Sequence, residues 1–543
     1  MTKFKYKPCL AAVVMAVSMA SMQSGAQEQE TATTSQEASL STSQTLGYIG
    51  EVSESVILSG NLANLNATID YDDNYANGDT LKARVKFWHE VAMDSVALDH
   101  TPEEGQGPSQ GGPTRTSRAL AMVQAAVFDT LNAFENRYNY FTWATPVPNG
   151  ASADAAVATA AHRMLRRLYP NQKARLNAIF DEEKTRIKSK VSNQSFRDGR
   201  DIGVFYFQDV LEERRGDRSG HRERDFGEGG RVADGNKTFF GTTVNGGSTL
   251  IGEWEPDPNT PEESGDFNLA LGARWGNVKP FFLNSGDQFR SAAPPAFDSD
   301  AYSLSFADVA AVGGSPDNAN TVSTSTEETR FVGNYWGYDG VPLIGVPPRI
   351  YNQIVVQIAG ERVSDALDLA RILALANVGM ADTAIAVWDS KYFYNFWRPI
   401  TGIRRDDQIP STVNDTAWDP VGMSVVNTNE AVRSSPPFPA YPSGHAAFGA
   451  TTFEVLREFF GDNTAFTFVS DEYNGEGVDP FFPNIPRPFV PVRFETLTEA
   501  QLDNGISRIY NGVHWDFDNT AGQDMGLSIA RFLLDSTAAF QAQ

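Results

Sequence analysis

Apolar residues in this chain recur at the helical period over long stretches and almost nowhere at the alternating period of a strand. Between Arg118 and Phe134, the residues Leu120, Val123, Val127, Leu131 and Phe134 are spaced by three and four, which places them on one face of a helix. The Ala-rich stretch Ala151 to Leu168, the segment Gln172 to Leu211 and the segment Tyr351 to Phe396 carry the same period. Gly- and Pro-rich text from Gly216 to about Asp300 interrupts them, as loops do. A chain patterned in this way is expected to be all-α, built as helical bundles with long irregular loops, and shows no internal repeat.

The N-terminus reads differently. Lys3, Lys5 and Lys7 precede an apolar run from Leu10 to Ala20 and then Ser24-Gly25-Ala26, the pattern of a secretory signal peptide spanning 1–26. Residues 27–80 form a low-complexity linker and N-terminal extension, Ser-, Thr-, Gln- and Glu-rich at first. The Asp- and Asn-rich stretch Asp70 to Asp79 lacks the ligand order of an EF-hand and is read as loop. Ordered structure is expected to begin near Leu81, with an N-terminal helical half over 81–345 and a C-terminal catalytic half over 346–543. The expected location is the periplasm or the exterior of a bacterium.

The single cysteine, Cys9, lies in the removable segment, so disulfides, thiol catalysis and zinc–cysteine sites are excluded from the mature chain. Removing that segment deletes three lysines and no acid, which moves the formal net charge from −24 to −27. Such a surface repels nucleic acid and anionic membrane. The apolar stretch around Ile372 to Trp388 is broken by Asn377 and Asp382, and no mature segment is expected to span a bilayer.

Three blocks in the last third concentrate cations and histidines. In the first, Trp388, Lys391 and Arg398 follow a helical pattern, with the two cations seven apart on nearly one face if the helix persists, and Pro399 ending it. In the second, a Pro-rich loop delivers Ser443-Gly444-His445 into an apolar helical run. Ser443 is a natural N-cap, the Gly444 amide is free to hold an anion, and His445 stands beside it as an acid–base group. In the third, Arg508 precedes Asn511-Gly512, His514 and Asp518. A capping box from Thr498 and Gln501 would start the helix that carries Arg508, and Asp518 could fix the tautomer of His514 at i+4.

Each block has a plain structural alternative: cations reaching solvent, a capping serine beside a core histidine, or an arginine paired with a nearby acid. Together they supply the parts of a cage for a tetrahedral oxyanion.

Lys391-x6-Arg398-Pro399, then Pro442-Ser443-Gly444-His445, then Ser507-Arg508-x5-His514-x3-Asp518 resembles the signature of vanadium-dependent haloperoxidases, a superfamily shared with type 2 phosphatidic acid phosphatases. Trp388 and Phe438-Pro-Ala-Tyr look like the chloroperoxidase branch. The resemblance implies an all-α fold around a vanadate pocket and no haem. Lys391, Arg398, Ser443, Gly444 and Arg508 would hold the oxygens of vanadate(V), and His514 would be the single ligand to vanadium. His445 would be the acid–base group, Lys391 would polarise the bound oxidant, and Asp518 would support His514. Trp388 and Phe438 would border the halide path.

The reaction implied is oxidation of halide by hydrogen peroxide to hypohalous acid, with bromide, chloride and iodide all open as substrates and small organic molecules as acceptors. Two alternatives stand beside it. An exported acid phosphatase of the same superfamily would use His514 as a nucleophile, and a non-catalytic oxyanion-binding protein would need the cage alone. The sequence leaves the oligomeric state open.

Overall fold

The computed structural model describes residues 80–101, 107–226, 251–262, 268–428, 431–481, 486–536 and 540–543. The signal-peptide, linker and Asp70–Asp79 readings lie outside these residues.

Among the described residues, the first half holds α1 (Leu81–Asp99), α2 (Gly112–Glu135), α3 (Ala153–Leu168), α4 (Lys173–Lys190) and α5 (Asn193–Glu213). Three of these begin at a capping side chain. The Thr80 hydroxyl caps α1 by accepting the Ala83 N–H, and Ser152 and Ser192 cap α3 and α5 in the same way. The stretch read as continuous from Gln172 to Leu211 is two helices. After Lys190 the backbone of Val191 turns extended and Ser192 caps the next helix.

Beyond α5 the chain runs through irregular loops that contain a two-residue ladder, β1 (Arg224–Asp225) with β2 (Leu269–Ala270). These loops wrap later parts of the chain: Trp254 N–H donates to the Asn395 carbonyl, Trp397 N–H to Gly252, and Leu271 N–H to Pro437. They serve as the outer wall of the region where the three sequence blocks meet.

Helical structure resumes with α6 (Asp300–Val312), α7 (Glu327–Tyr335), α8 (Pro348–Arg362) and α9 (Ala366–Tyr394). The Tyr351 to Phe396 pattern is therefore also two helices, because Asp365 caps a fresh start by accepting the Asp368 N–H. By length and composition α9 could cross a bilayer, with a window mean hydropathy of 1.4, yet that window is 94% buried inside the protein. Asn377 and Asp382, the polar residues in its middle, are bonded internally. Asn377 pairs with Asn352, and the Asp382 carboxylate accepts the N–H groups of Phe281, Phe282 and Leu283. It is the central core helix, packed on α2 and α8.

The remaining elements are α10 (Pro399–Arg404), α11 (Gly444–Phe460), the hairpin β3 (Phe466–Asn474) and β4 (Phe489–Phe494), α12 (Leu497–Tyr510) and α13 (Asp516–Ser536). The hairpin is antiparallel, pairing Phe466 with Phe494 and shifting register between Val469 and Asn474. Its short alternation was not singled out in the sequence.

Helix α12 starts at Thr496, which accepts the Glu499 N–H, rather than through Thr498 and Gln501. Thr498 instead donates to Asp462. Helix α13 lies close against the start of α11, since a Cβ on Gly522 would sit 2.4 Å from the Ser443 carbonyl and one on Gly526 2.3 Å from that of Ala447. Only glycine permits that approach.

Candidate active site

A second aromatic core lies under the three blocks. Tyr302, Phe306, Phe396, Trp397, Trp418, Tyr441, Ile509 and Trp515 are buried against one another, and Trp515 Nε1 donates to the Trp397 carbonyl at 3.0 Å. Trp397 precedes Arg398, Ile509 follows Arg508, Trp515 follows His514, and Tyr441 stands two before Ser443. Each polar residue is thus held by an apolar neighbour rooted in the same cluster, and the rigid packing of such a core fixes where the polar groups can reach.

The blocks converge. Arg398 Nη1 lies 3.1 Å from His514 Nε2 and donates to the Val513 carbonyl, while Arg398 Nε donates to the Phe438 carbonyl at 2.9 Å. The Arg398 guanidinium and the Lys391 ammonium both stand over the Phe438 ring, at 4.9 and 5.0 Å from its centroid. Trp388 closes that side, 5.0 Å from Phe438, with its Nε1 donating to Leu271. Ser443 N–H donates to the Asp518 carbonyl at 2.9 Å, which ties the start of α11 to the turn carrying His514.

Two local expectations are corrected. Arg398 is not two turns along the helix of Lys391, because α9 ends in left-handed Asn395 and Arg398 becomes the N-cap of α10, with Pro399 in its first turn. His514 is likewise not on a helix with Asp518. It lies in the turn after Gly512 (φ +68°), and Asp518 reaches back from the first turn of α13 to accept its Nδ1–H at 2.8 Å. That bond assigns the proton to Nδ1 and leaves the Nε2 lone pair facing Arg398.

The start of α11 matches the reading made from sequence. Ser443 caps it through a long 3.5 Å bond from the Ala446 N–H, and Gly444 is its first residue, so the Gly444 N–H has no partner within the helix. His445 is held by a backbone acceptor, with Nε2–H donating to the Gly337 carbonyl at 2.8 Å and Nδ1 left without the proton. Its own carbonyl accepts from Asn504 Nδ2, and the Tyr351 hydroxyl lies 2.9 Å away.

Lys391, Arg398 and Arg508 are at most 1% exposed, and their donors are only partly used. Lys391 spends two of three on the Pro439 and Ala440 carbonyls, both at 2.8 Å. Arg508 Nη2 pairs with buried Asp339 at 2.7 Å. Arg398 Nη2 and Arg508 Nε and Nη1 are buried with no protein partner. Leaving a charged donor buried and unmade costs about 1–3 kcal/mol each, so this arrangement calls for an anion rich in acceptors.

The titration behaviour agrees. Burial, then the neighbouring Arg398, drive the Lys391 ammonium well below its usual range, and burial lowers Arg398 to about 9. Burial and the surrounding cations hold His514 and His445 well below 6.5, while burial raises Asp518 to about 7. Among the described residues, no group of three His, Cys, Asp or Glu could cage a metal cation.

Asp339, Gly337, Asn504 and Tyr351 were not anticipated. Asp339 is 169 positions from Arg508, and the Asp339-Gly340 pair signals a turn without naming what the turn touches.

A mostly helical protein whose buried cations keep unspent donors beside the imidazoles of His514 and His445 is equipped to hold an oxyanion. Residues 66–217 match the vanadium chloroperoxidase N-terminal domain, and residues 371–542 match the second helical-bundle domain of the same proteins (VCPO). The chain is 30% identical to the vanadium chloroperoxidase of Curvularia inaequalis over 522 residues, covering 84% of this chain and 81% of that one.

Among solved structures it is similar to the first bacterial vanadium-dependent iodoperoxidase, with TM-score 0.63, 22% identity and coverage of 85% and 97%. It is also similar to a holo-type bacterial vanadium-dependent chloroperoxidase, with TM-score 0.57, 16% identity and coverage of 80% and 95%. The chain belongs to the vanadium haloperoxidase family.

Proposed function

We propose that this chain is a vanadate-dependent enzyme that converts halide, hydrogen peroxide and one proton into hypohalous acid and water. The observation that carries the reading is the set of three uncommitted guanidinium N–H groups on Arg398 and Arg508, buried beside an imidazole whose Nε2 lone pair is free of its proton. These residues fit vanadate, an oxyanion held by charge-assisted hydrogen bonds and one imidazole. Arg398, Arg508 and the third donor of Lys391 would hold its oxygens, with the Ser443 hydroxyl and the Gly444 N–H, and His514 would be its protein ligand. When bound, it supplies a vanadium(V) Lewis acid that activates hydrogen peroxide.

The chain's own residues do the rest. His445 is neutral, with Nε2–H committed to Gly337, so Nδ1 takes and returns the proton that the reaction moves. Lys391 offers positive charge where negative charge develops. The Trp388 and Phe438 rings beside Lys391 border the halide's approach and exclude water from that side. Asp518 keeps His514 in the tautomer that offers Nε2.

Haem has no part in this reading. Bromide, chloride and iodide are all candidate substrates, with small organic molecules accepting the hypohalous acid. The signal-like N-terminus and the net charge of −24 fit an exported protein that avoids nucleic acid and anionic membrane.

Apoenzyme titrated with orthovanadate and assayed with bromide, peroxide and monochlorodimedone tests the proposal. Vanadate-dependent halogenation is expected. A chain in which vanadate activates nothing and instead inhibits hydrolysis of a phosphomonoester is a phosphatase.

A further inference from the structure

The turn Gly337-Tyr338-Asp339 carries two contacts to the site at once. Gly337 offers the carbonyl that accepts His445 Nε2–H at 2.8 Å, and two residues on, Asp339 pairs with Arg508 at 2.7 Å. Between them Tyr338 is held in the left-handed region, φ +46°, which a bulky residue adopts only where its surroundings compel it.

One group bonded to this turn is Glu472, fully buried on β3, outside all three sequence blocks. Its Oε1 accepts the Tyr338 N–H at 2.9 Å. Its Oε2 accepts from the Ser424 hydroxyl at 2.7 Å and from Arg487 Nη1 at 2.5 Å. Ser424 closes the ring, since its N–H donates to Asp339 Oδ2 at 2.8 Å while Oδ1 faces Arg508. Packing leaves the turn no slack: a Cβ on Gly337 would stand 2.8 Å from Glu472 Oε1 and 2.8 Å from Ser424 Cβ.

We propose that Glu472 is a positioning residue of the active site: through the Tyr338 N–H and Ser424 it sets the Gly337–Asp339 turn, and through that turn it places both the His445 imidazole and the Arg508 guanidinium. This rests on the reading of His445 as the acid–base group and of Arg508 as an anion donor. The hairpin that supplies Glu472 is thereby part of the catalytic support.

Two conservative variants separate reach from charge. Glu472→Gln keeps an oxygen in reach of the Tyr338 N–H but loses the charge, and Arg487 retains Asp479 at 2.9 Å. Glu472→Asp keeps the charge and shortens the reach by one methylene. Positioning predicts that Glu472→Asp lowers kcat about tenfold to a hundredfold and weakens orthovanadate binding to the apoenzyme, measured by calorimetry, by about tenfold. Glu472→Gln is expected to stay within about threefold of wild type in both, at some loss of melting temperature.

Asp129→Asn, which disturbs a carboxylate that accepts from Phe141 and Thr142 in the first half, is the structural control, expected to lower melting temperature with kcat unchanged. The proposal fails if Glu472→Asp melts lower yet keeps wild-type kcat and orthovanadate affinity, or if Glu472→Gln is the more damaged of the two. His445→Ala in the same assays guards the underlying reading. Full turnover by that variant would remove the acid–base assignment, whatever the Glu472 variants do.

Discussion

Two sets of buried charges in this protein are built in opposite ways. In the first half, Arg84 is 2% exposed and meets Glu183, equally buried, at 2.9 Å and Asp154 on its other side. Arg349, 3% exposed, meets Asp471 together with the carbonyls of Met93 and Ile344. At the candidate site, Lys391, Arg398 and Arg508 are as deeply buried but share little acid, with Asp339 on one nitrogen of Arg508 and Asp518 engaged with His514. The histidines differ in what they meet: His89 places its ring nitrogens on the neutral Asn352 carbonyl and Gln124, whereas His514 faces a cage cation, Arg398 Nη1, with Nε2. A charge that holds a fold is saturated by the fold, and a charge kept for a ligand is left short of partners.

The largest test of that contrast removes a cage cation. Arg398→Met is expected to weaken orthovanadate binding more than about a thousandfold while raising the melting temperature of the apoenzyme, because an uncompensated buried charge is replaced by an apolar side chain. Calorimetric titration and thermal melts read both, and a melting temperature that falls breaks the contrast.

Arg84→Met should do the reverse. It strands Glu183 and costs about 3–5 kcal/mol of stability by denaturant unfolding, with orthovanadate affinity of the folded protein unchanged. A weakened affinity there would mean that the two regions are not independent.

The saturated histidine gives a pH signature. Burial lowers His89 to about 4, so the folded state keeps it neutral while the unfolded chain takes up a proton below about 6.5. Its contribution to stability is therefore lost as pH falls from about 6.5 toward 4, by on the order of 3 kcal/mol in all. Buried acids such as Asp129, raised to about 7, act in the opposite sense over the same window. The clean measurement is accordingly the difference in unfolding free energy between wild type and His89→Gln, expected to be flat above pH 7 and to change steadily below 6.5. The smallest expected effect is at Asp518: Asp518→Asn should cost about 10–100-fold in orthovanadate affinity through loss of tautomer control, with kcat falling in step.

Much of the site was legible because its signals are local. A serine before Gly-His at the head of an apolar run is a local capping signal, and Asn511-Gly512 is a local bend signal ahead of His514, although the bend itself packs against Gly313 and bonds Gly333 and Gly422. The errors were also local in kind. Lys391 and Arg398 were placed on one helix because periodicity does not report where a helix stops. The stop is the left-handed Asn395, favoured by the β-bridge that pulls Phe396 onto Glu253 in a loop 143 positions earlier. Thr498 with Gln501 fits a capping pattern, but the cap is Thr496, and Asp462 takes the Thr498 hydroxyl instead.

Helix period, capping residues and the order of three cationic motifs are properties of neighbouring residues, so the sequence by itself determined an all-α chain with a candidate oxyanion site in its last third. Tertiary structure decided which donors remain free, because a guanidinium is spent or unspent according to partners such as Asp339 that lie more than a hundred residues away. It also decided that a buried glutamate on an unnoticed hairpin braces the turn under His445. Such pairings depend on how the core closes, and closure is settled by packing in three dimensions rather than by spacing along the chain.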